Sequence, residues 1–549
     1  MKKYASFLFC YVIIISSFLF PVPEAYGQEN FEGTWEGVFM NDFEVLISFD
    51  GNNQGNIKMM SGGNIIQNDK LTDIKLTNNE FTFYIPDKQT PFTGNFNDLF
   101  TELTGEFIFP DGKKHTIQLK RKMQAANPLA AFKTAKENKF RAEDVRNDLL
   151  FLYSSLKEQH PQLYAFTPKD SMELILERLQ DELREEVTLE KSYLILSQLT
   201  DAVKCSHTGV RLPNSYQDSV NEFGHYFPFR LYFKNGKAFL VSGNFESKQL
   251  ILPGTEILSI NNLAVKEIIE KLFFMIPSEG CNVTTKYHEL NKRFNALFYF
   301  LDDSEKFIIK YRKGSSVDSI TASSCRLKHI QSLYGKIKND RQVSFHYMDN
   351  MNIAVLKIPT FAMPDMDHYF KQLDSIFNDL KKANIQHLIL DLRGNKGGHP
   401  IFAAQLFSYL TKKDFIYFKR NAEVKDFEPL YNVMQPNKNN FRGTMYVLVN
   451  GGCLSTTGHL ISLLKFNTNA VFIGEEPGST FRCNDFSMQF SLPNTGIELN
   501  APRVTFETSV TGFTLCRPFP IDYRVNNSLI KIIDQEDEYV EMASSIINK

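Results

Sequence analysis

The sequence holds a single tryptophan in 549 residues and no cysteine pair in the Cys-x-x-Cys form. It also has no basic run and, past its N-terminus, no apolar stretch long enough for a bilayer. Each shortage closes off a class of function. Lys and Arg total 61 against 63 Asp and Glu, a formal charge of −2. Without a basic patch or a basic–aromatic stripe, nucleic acid and anionic membrane surfaces are poor partners. The missing zinc-type spacing leads us to expect no metal and no cofactor. The lone tryptophan contrasts with 49 Phe, an excess that core packing explains more simply than a cofactor box.

At the N-terminus, Lys2 and Lys3 precede an apolar run from Phe7 to Phe20, followed by Pro21, Pro23 and the small-x-small end Ala25-Tyr26-Gly27. This is the pattern of a cleavable secretory signal over residues 1–27, with a mature chain from near Gln28. The run is about 14 residues, short of the roughly 20 a spanning helix needs, and an uncleaved anchor is the alternative. Cys10 lies inside the run rather than after it, which argues against a lipoprotein cysteine. The expected location is exported, periplasmic or extracellular, with no integral span after signal cleavage. An exported chain can oxidise Cys205, Cys281, Cys325, Cys453, Cys483 and Cys516, but their spacing selects no pairing.

The length implies roughly three or four domains, and the hydrophobic period changes along the chain accordingly. Residues 28–122 alternate, as in Phe43, Val45, Ile47 and Phe49, with turns such as Asp50-Gly51-Asn52 and Asp111-Gly112, which predicts a small antiparallel β domain. Its opening Gly33-Thr34-Trp35-Glu36-Gly37 resembles the first strand of lipocalin-like barrels. An accessory domain with no such ligand is the competing reading. Residues 128–215 turn helical, with Val145, Leu149, Leu152 and Leu156 on one stripe. Residues 216–340 return to strands, and the order of Gly254-Thr255-Glu256, a strand at Ile257–Ile260, an Asn261-Asn262 turn and a helix from Val265 resembles a divergent PDZ domain. A β-rich spacer without a peptide groove is the alternative. Residues 345–535 alternate β-branched strands with helices, predicting a largely parallel sheet covered on both faces, with any ligand beyond the strands' carboxyl ends.

Two glycine loops fall at that edge. In Met445–Lys465 an apolar strand runs through Gly451-Gly452 to Ser455 at a helix start, where unpartnered N–H groups and the helix dipole favour an oxyanion beside the hydroxyl. Upstream, His387–Pro400 is a second buried strand ending in Asn395-Lys396-Gly397-Gly398. The pair has the form of an acyl-transfer site.

In this order, several motifs together resemble the serine peptidases of the C-terminal-processing (tail-specific) and tricorn group. They are Glu158-Gln159-His160-Pro161, Ser206-His207-Thr208-Gly209, the PDZ-like region, Asp391 to Gly398, the Ser455 elbow, Ile473-Gly474-Glu475 and Pro520-Ile521-Asp522-Tyr523-Arg524-Val525. The resemblance covers roughly 128–530. It implies a multidomain α+β fold: an N-terminal antiparallel β domain, a helical segment, a PDZ-like β region and an α/β, ClpP/crotonase-like catalytic core. It implies a serine endopeptidase acting on polypeptides through an acyl-enzyme, with Ser455 as nucleophile. Processing peptidases draw their base from a lysine about 25 residues further on. This chain reads Gly474-Glu475-Glu476-Pro477-Gly478-Ser479-Thr480-Phe481 there, so the Ser–Lys dyad is missing. The tricorn branch instead uses a histidine preceded by a serine, which carries the general base to His207 beside Ser206. His459 and His399 compete for the role. The tricorn glutamate before the terminal motif is replaced by Thr514-Leu515-Cys516-Arg517, leaving Ser206, Glu475 or Glu507 to orient the imidazole. Amides of Thr456 and of Gly397 or Gly398 form the expected oxyanion hole, while Asp391, Arg393 and Asn395 brace the loop. A catalytically impaired peptide-binding protein on the same scaffold is the main rival; an esterase or other acyl hydrolase shares the chemistry.

Overall fold

A computed structural model describes residues 31–548, except 32, 40–42, 50–53, 62–63, 78–79, 98–101, 122–126, 244–250, 335–341, 349–351 and 421–423. The expected signal segment and the Asp50-Gly51-Asn52 turn lie outside the described residues. Among those described, no helix is long and apolar enough to cross a membrane. The chain divides into two compact units, residues 1–126 and 127–549.

In the first unit, eight antiparallel strands between Gly33 and Arg121 form a closed barrel, each pairing with the next and the first with the last. Alternation sends Trp35, Val45, Ile47, Phe81, Phe83, Phe92 and Phe107 inward, all buried. Phe83 stacks on Phe92 with ring centroids 4.5 Å apart, and Phe49 meets Phe81 edge to face at 4.9 Å. The Trp35 indole N–H donates to the Phe31 carbonyl at 3.0 Å, and the Arg121 guanidinium lies over the same ring. The interior is thus filled by side chains, as small barrels require, each buried Phe contributing about 1.5–3 kcal/mol. Eight buried Phe pack in this core, and most of the others pack in the cores of the second unit. The expected antiparallel β domain is present as a closed barrel, and its interior is a packed core.

The second unit begins with helices Pro128–Glu137, Ala142–Gln159, Lys169–Glu182 and Leu189–Val203. The predicted stripe Val145, Leu149, Leu152 and Leu156 is fully buried, and Asn127 and Thr188 cap their helices by accepting from Ala130 N and Lys191 N. An antiparallel sheet follows, in the order Phe229–Lys234, Lys237–Gly243, Glu256–Ile260, Lys306–Lys313, Ser316–Ser323.

Here the sequence reading missed a helix, Thr284–Phe298, in a region taken as strands. Its Leu290, Phe294, Leu297 and Phe298 have helical spacing and are buried. Two of its amides complete the edge of the sheet. Asn291 accepts from Phe233 N at 2.6 Å and donates to Phe233 O at 3.1 Å, while Asn295 donates to the Phe227 and Phe229 carbonyls. Over that stretch the strand edge is occupied by side chains.

The last sheet runs Ser344–Met348, Ile353–Lys357, His387–Asp391, Thr444–Val449, Val471–Gly474, Tyr523–Arg524. Only the first pair is antiparallel. Spatial order follows chain order, so right-handed crossovers must place every crossover helix on one face. Accordingly Ala354, Leu356, Leu388, Leu390, Val447 and Phe472 share a core with helices Met366–Lys382, Pro400–Leu410 and Thr456–Asn467. The alternate residues Ile353, Val355, Ile389, Leu448 and Ile473 meet Tyr539 and Ala543 of helix Glu538–Ile547. Both faces are covered as expected, the second by this C-terminal helix.

Candidate active site

The loop after Thr444–Val449 delivers Ser455 to the start of helix Thr456–Asn467 with φ +52° and ψ −126°. An L-residue with a positive φ is strained, and such strain persists only where surrounding structure enforces it. The enforcement is visible. Asn450 Oδ1 accepts from the Gly394 and Gly452 amides at 3.0 and 3.1 Å, and Leu454 N donates to Asn395 O at 3.0 Å. Asn395, fully buried, donates to Ile358 O and accepts from Gly397 N, both at 2.9 Å. Arg393 is held by both Asp391 and Asp537 and lies over the Tyr539 ring. These residues brace the loop, as expected.

The two glycines are required by space. A Cβ on Gly397 (φ +95°) would sit 2.9 Å from the Ser455 Cβ and 3.0 Å from Thr456 N, and one on Gly398 (φ +137°) 2.2 Å from the Phe361 carbonyl carbon. Gly397 spends its N–H on Asn395, so of the amides expected for the oxyanion hole those of Gly398 and Thr456 remain. Among the described residues neither has an acceptor. Thr456 Oγ1 donates to Gly398 O, which ties the two loops together.

His207 lies in the segment after helix Leu189–Val203, about a fifth exposed. Its Nδ1 meets Ser206 Oγ at 3.2 Å, and Ser206 donates through its hydroxyl at 2.9 Å and its N–H at 3.2 Å to the buried Glu279 carboxylate. His207 Nε2 faces Asp485 Oδ2 at 3.5 Å. Ser455, 6% exposed, has its Oγ 3.9 Å from Cys483 Sγ, which in turn is 3.4 Å from His459 Nε2. Ser455 and His207 thus each face strand Arg482–Asp485, the serine at Cys483 and the histidine at Asp485, with no hydrogen bond between them.

The other candidates are placed differently. Burial and the nearby His207 push His459 down to about 3, leaving it neutral and weakly basic against the Phe418 ring at 5.2 Å. His399 caps helix Pro400–Leu410, its Nδ1 accepting from Ile401 N at 3.3 Å. The expectation that Glu475 or Glu507 orients the imidazole is corrected. Glu475 accepts from Asn527 at 2.9 Å, and Glu507 is ion-paired with Lys419. The acids that reach His207 are Glu279, through Ser206, and Asp485. Neither bears a local motif, since both arrive by tertiary docking of distant segments.

Cysteines also sort by tertiary structure. Cys281 and Cys516 form a disulfide with Cα atoms 5.0 Å apart across 235 positions, while Cys205, Cys325, Cys453 and Cys483 are free. Closing so long a loop stabilises the fold by about 2–5 kcal/mol. We expect Cys281→Ser/Cys516→Ser to lower denaturant stability by that order; an unchanged midpoint would show the bridge to be thermodynamically idle.

The profile of peptidase family S41 matches residues 352–508, which contain Ser455 and both glycine loops. A search of curated proteins finds no match. Among solved structures, mature CPAF complexed with lactacystin is 14% identical, with TM-score 0.53, covering 74% of this chain and 98% of that one. A CPAF mutant gives 14%, TM-score 0.54, 74% and 96%. The photosystem II D1 C-terminal processing protease gives 13%, TM-score 0.38, 74% and 97%. At these identities the CPAF likeness speaks for the fold alone.

Proposed function

We propose that this chain, a serine-type peptidase of family S41 in the tail-specific and tricorn-like group, is an exported endopeptidase that cleaves polypeptides through an acyl-enzyme on Ser455. The observation that carries the reading is the strained Ser455 set against two acceptor-free amides, Gly398 and Thr456. The hydroxyl attacks the scissile carbonyl, and the developing oxyanion meets those amides at the positive end of a helix. His207 Nε2 takes the hydroxyl proton and returns it to the leaving amine, after which water repeats the sequence and frees the enzyme. In this reading the imidazole leaves Asp485 for Ser455 when substrate binds, since catalytic hydrogen bonds often tighten only with substrate. The Cys281–Cys516 disulfide fits an oxidising, extracytoplasmic setting.

The rival is a peptide-binding protein with little turnover, favoured by the separation of the Ser455 hydroxyl from the His207 ring. A fluorophosphonate probe decides between them. The wild type should label, while Ser455→Ala and His207→Ala should not. Labelling absent from folded wild type would establish the binder instead.

A further inference from the structure

We infer that Glu279 is the positioning acid of the catalytic histidine, acting through Ser206 from the segment that leads into helix Thr284–Phe298. This rests on the Ser455–His207 reading above. The geometry forms a directed chain: His207 Nδ1–H donates to Ser206 Oγ, and Ser206 Oγ–H donates to Glu279 Oε2, at 3.2 and 2.9 Å. With Nδ1 carrying the hydrogen, Nε2 presents the lone pair that accepts the Ser455 proton. When the imidazolium forms, its positive charge faces a buried carboxylate one hydroxyl away, which favours it most in the transition state.

Three further links fix Glu279 in place. Ser206 N donates to the same carboxylate oxygen, Gly280 N donates to Lys204 O at 2.8 Å, and the Cys281–Cys516 bridge lies two residues on. The acid and the histidine segment are thus registered by the Ser206 N–H on the carboxylate and the Gly280–Lys204 main-chain bond, while the bridge anchors the acid's own segment to Cys516. Burial raises the Glu279 carboxyl, while the Ser206 hydrogen bonds, His207 and Arg482 favour its ionised form. The remaining groups facing the pair are the Cys205 and Cys483 thiols beside Glu279, and Asp485 and His459 beside His207. Asp485 is the competing acid. Its side chain is 42% exposed, and it contacts Nε2, the nitrogen that must be free to receive the serine proton.

Glu279→Gln keeps the shape and an acceptor but removes the charge. We expect kcat to fall about 100-fold with KM within about threefold. The acid limb of the kcat/KM profile should move to lower pH, because a lost negative neighbour lowers an imidazole pKa. Ser206→Ala should give a similar loss, and adding Glu279→Gln to it should cost nothing more, since a broken relay cannot be broken twice. Asp485→Asn should stay within about threefold of wild-type kcat. Thermal midpoints and fluorophosphonate site counts confirm that each variant is folded. Wild-type kcat in Glu279→Gln, losses that multiply in the double variant, or the larger loss in Asp485→Asn would each overturn the assignment. Failure of the Ser455 reading has a different signature, an unlabelled wild type.

Discussion

Ser455→Gly is expected to abolish peptide hydrolysis and, in the same protein, to raise the thermal midpoint. The first effect needs only the missing hydroxyl, because burial holds the neighbouring Cys483 thiol, 3.9 Å from Ser455 Oγ, in its protonated, weakly nucleophilic form. The second follows from the backbone. At φ +52° and ψ −126° an L-side chain is strained, of order 1–3 kcal/mol, whereas glycine occupies that region freely. Glycine also gives the unfolded chain more freedom, which offsets roughly 0.5–1 kcal/mol, so the net gain is about 1 kcal/mol. Ser455→Ala is the control: equally inactive, it keeps the strained conformation and should lack the gain. The comparison is made by thermal unfolding of both variants. If Ser455→Gly melts below Ser455→Ala, the elbow stores no strain, and the argument that its geometry is maintained for catalysis fails. A gain would be an instance of stability given up for function.

That strained serine was legible in the sequence because its determinants are local. An apolar strand, a glycine pair, a hydroxyl and a helix start are contiguous, and so are Asp391 to Gly398. The strand-to-helix alternation of the catalytic sheet was legible for the same reason, since each element's buried face is written in its own period. What could not be read was what docking decides. Glu279 sits in a segment with no periodic signature and reaches Ser206 only because Gly280, Lys204 and a disulfide to Cys516 hold it there. Glu475 lies next to a recognisable strand end and so looked eligible, yet that end turns it toward Asn527. Helix Thr284–Phe298 had a helical period, but the strand-like segments around it outweighed that signal. Its Asn291 and Asn295 serve the edge of a strand more than fifty residues upstream, a role no local pattern records.

Acidification is expected to unfold the second unit between about pH 6.5 and pH 4, before most carboxylates titrate. Three histidines are held neutral: His160, buried, and His288, half-buried, are pushed down to about 4, and the buried His459 to about 3, in each case chiefly by desolvation. A histidine whose folded pKa lies below its unfolded value binds fewer protons in the native state throughout the interval between them. Stability from these groups is therefore complete above about pH 6.5 and is lost as the pH falls toward 4 and then 3. The drop from the ordinary 6.5 corresponds to about 3 kcal/mol for His160 and for His288 and about 5 kcal/mol for His459, so the three together rival the roughly 5–15 kcal/mol that holds a typical domain. Glu289, lowered to about 2 with Arg293 and Lys396 opposing its burial, adds a loss in the same direction, but only below its unfolded pKa near 4.5. Asp201, Glu279, Glu475 and Glu476 are raised by burial and act the other way, gaining as they protonate. His459→Gln separates the terms, because it removes the most depressed imidazole and leaves the carboxylates in place. The difference in unfolding free energy between pH 7 and pH 5 should shrink in that variant relative to wild type, whatever its stability at pH 7. An unchanged difference would mean that His459 is not held neutral, and would remove one ground for setting it aside in favour of His207 as the base.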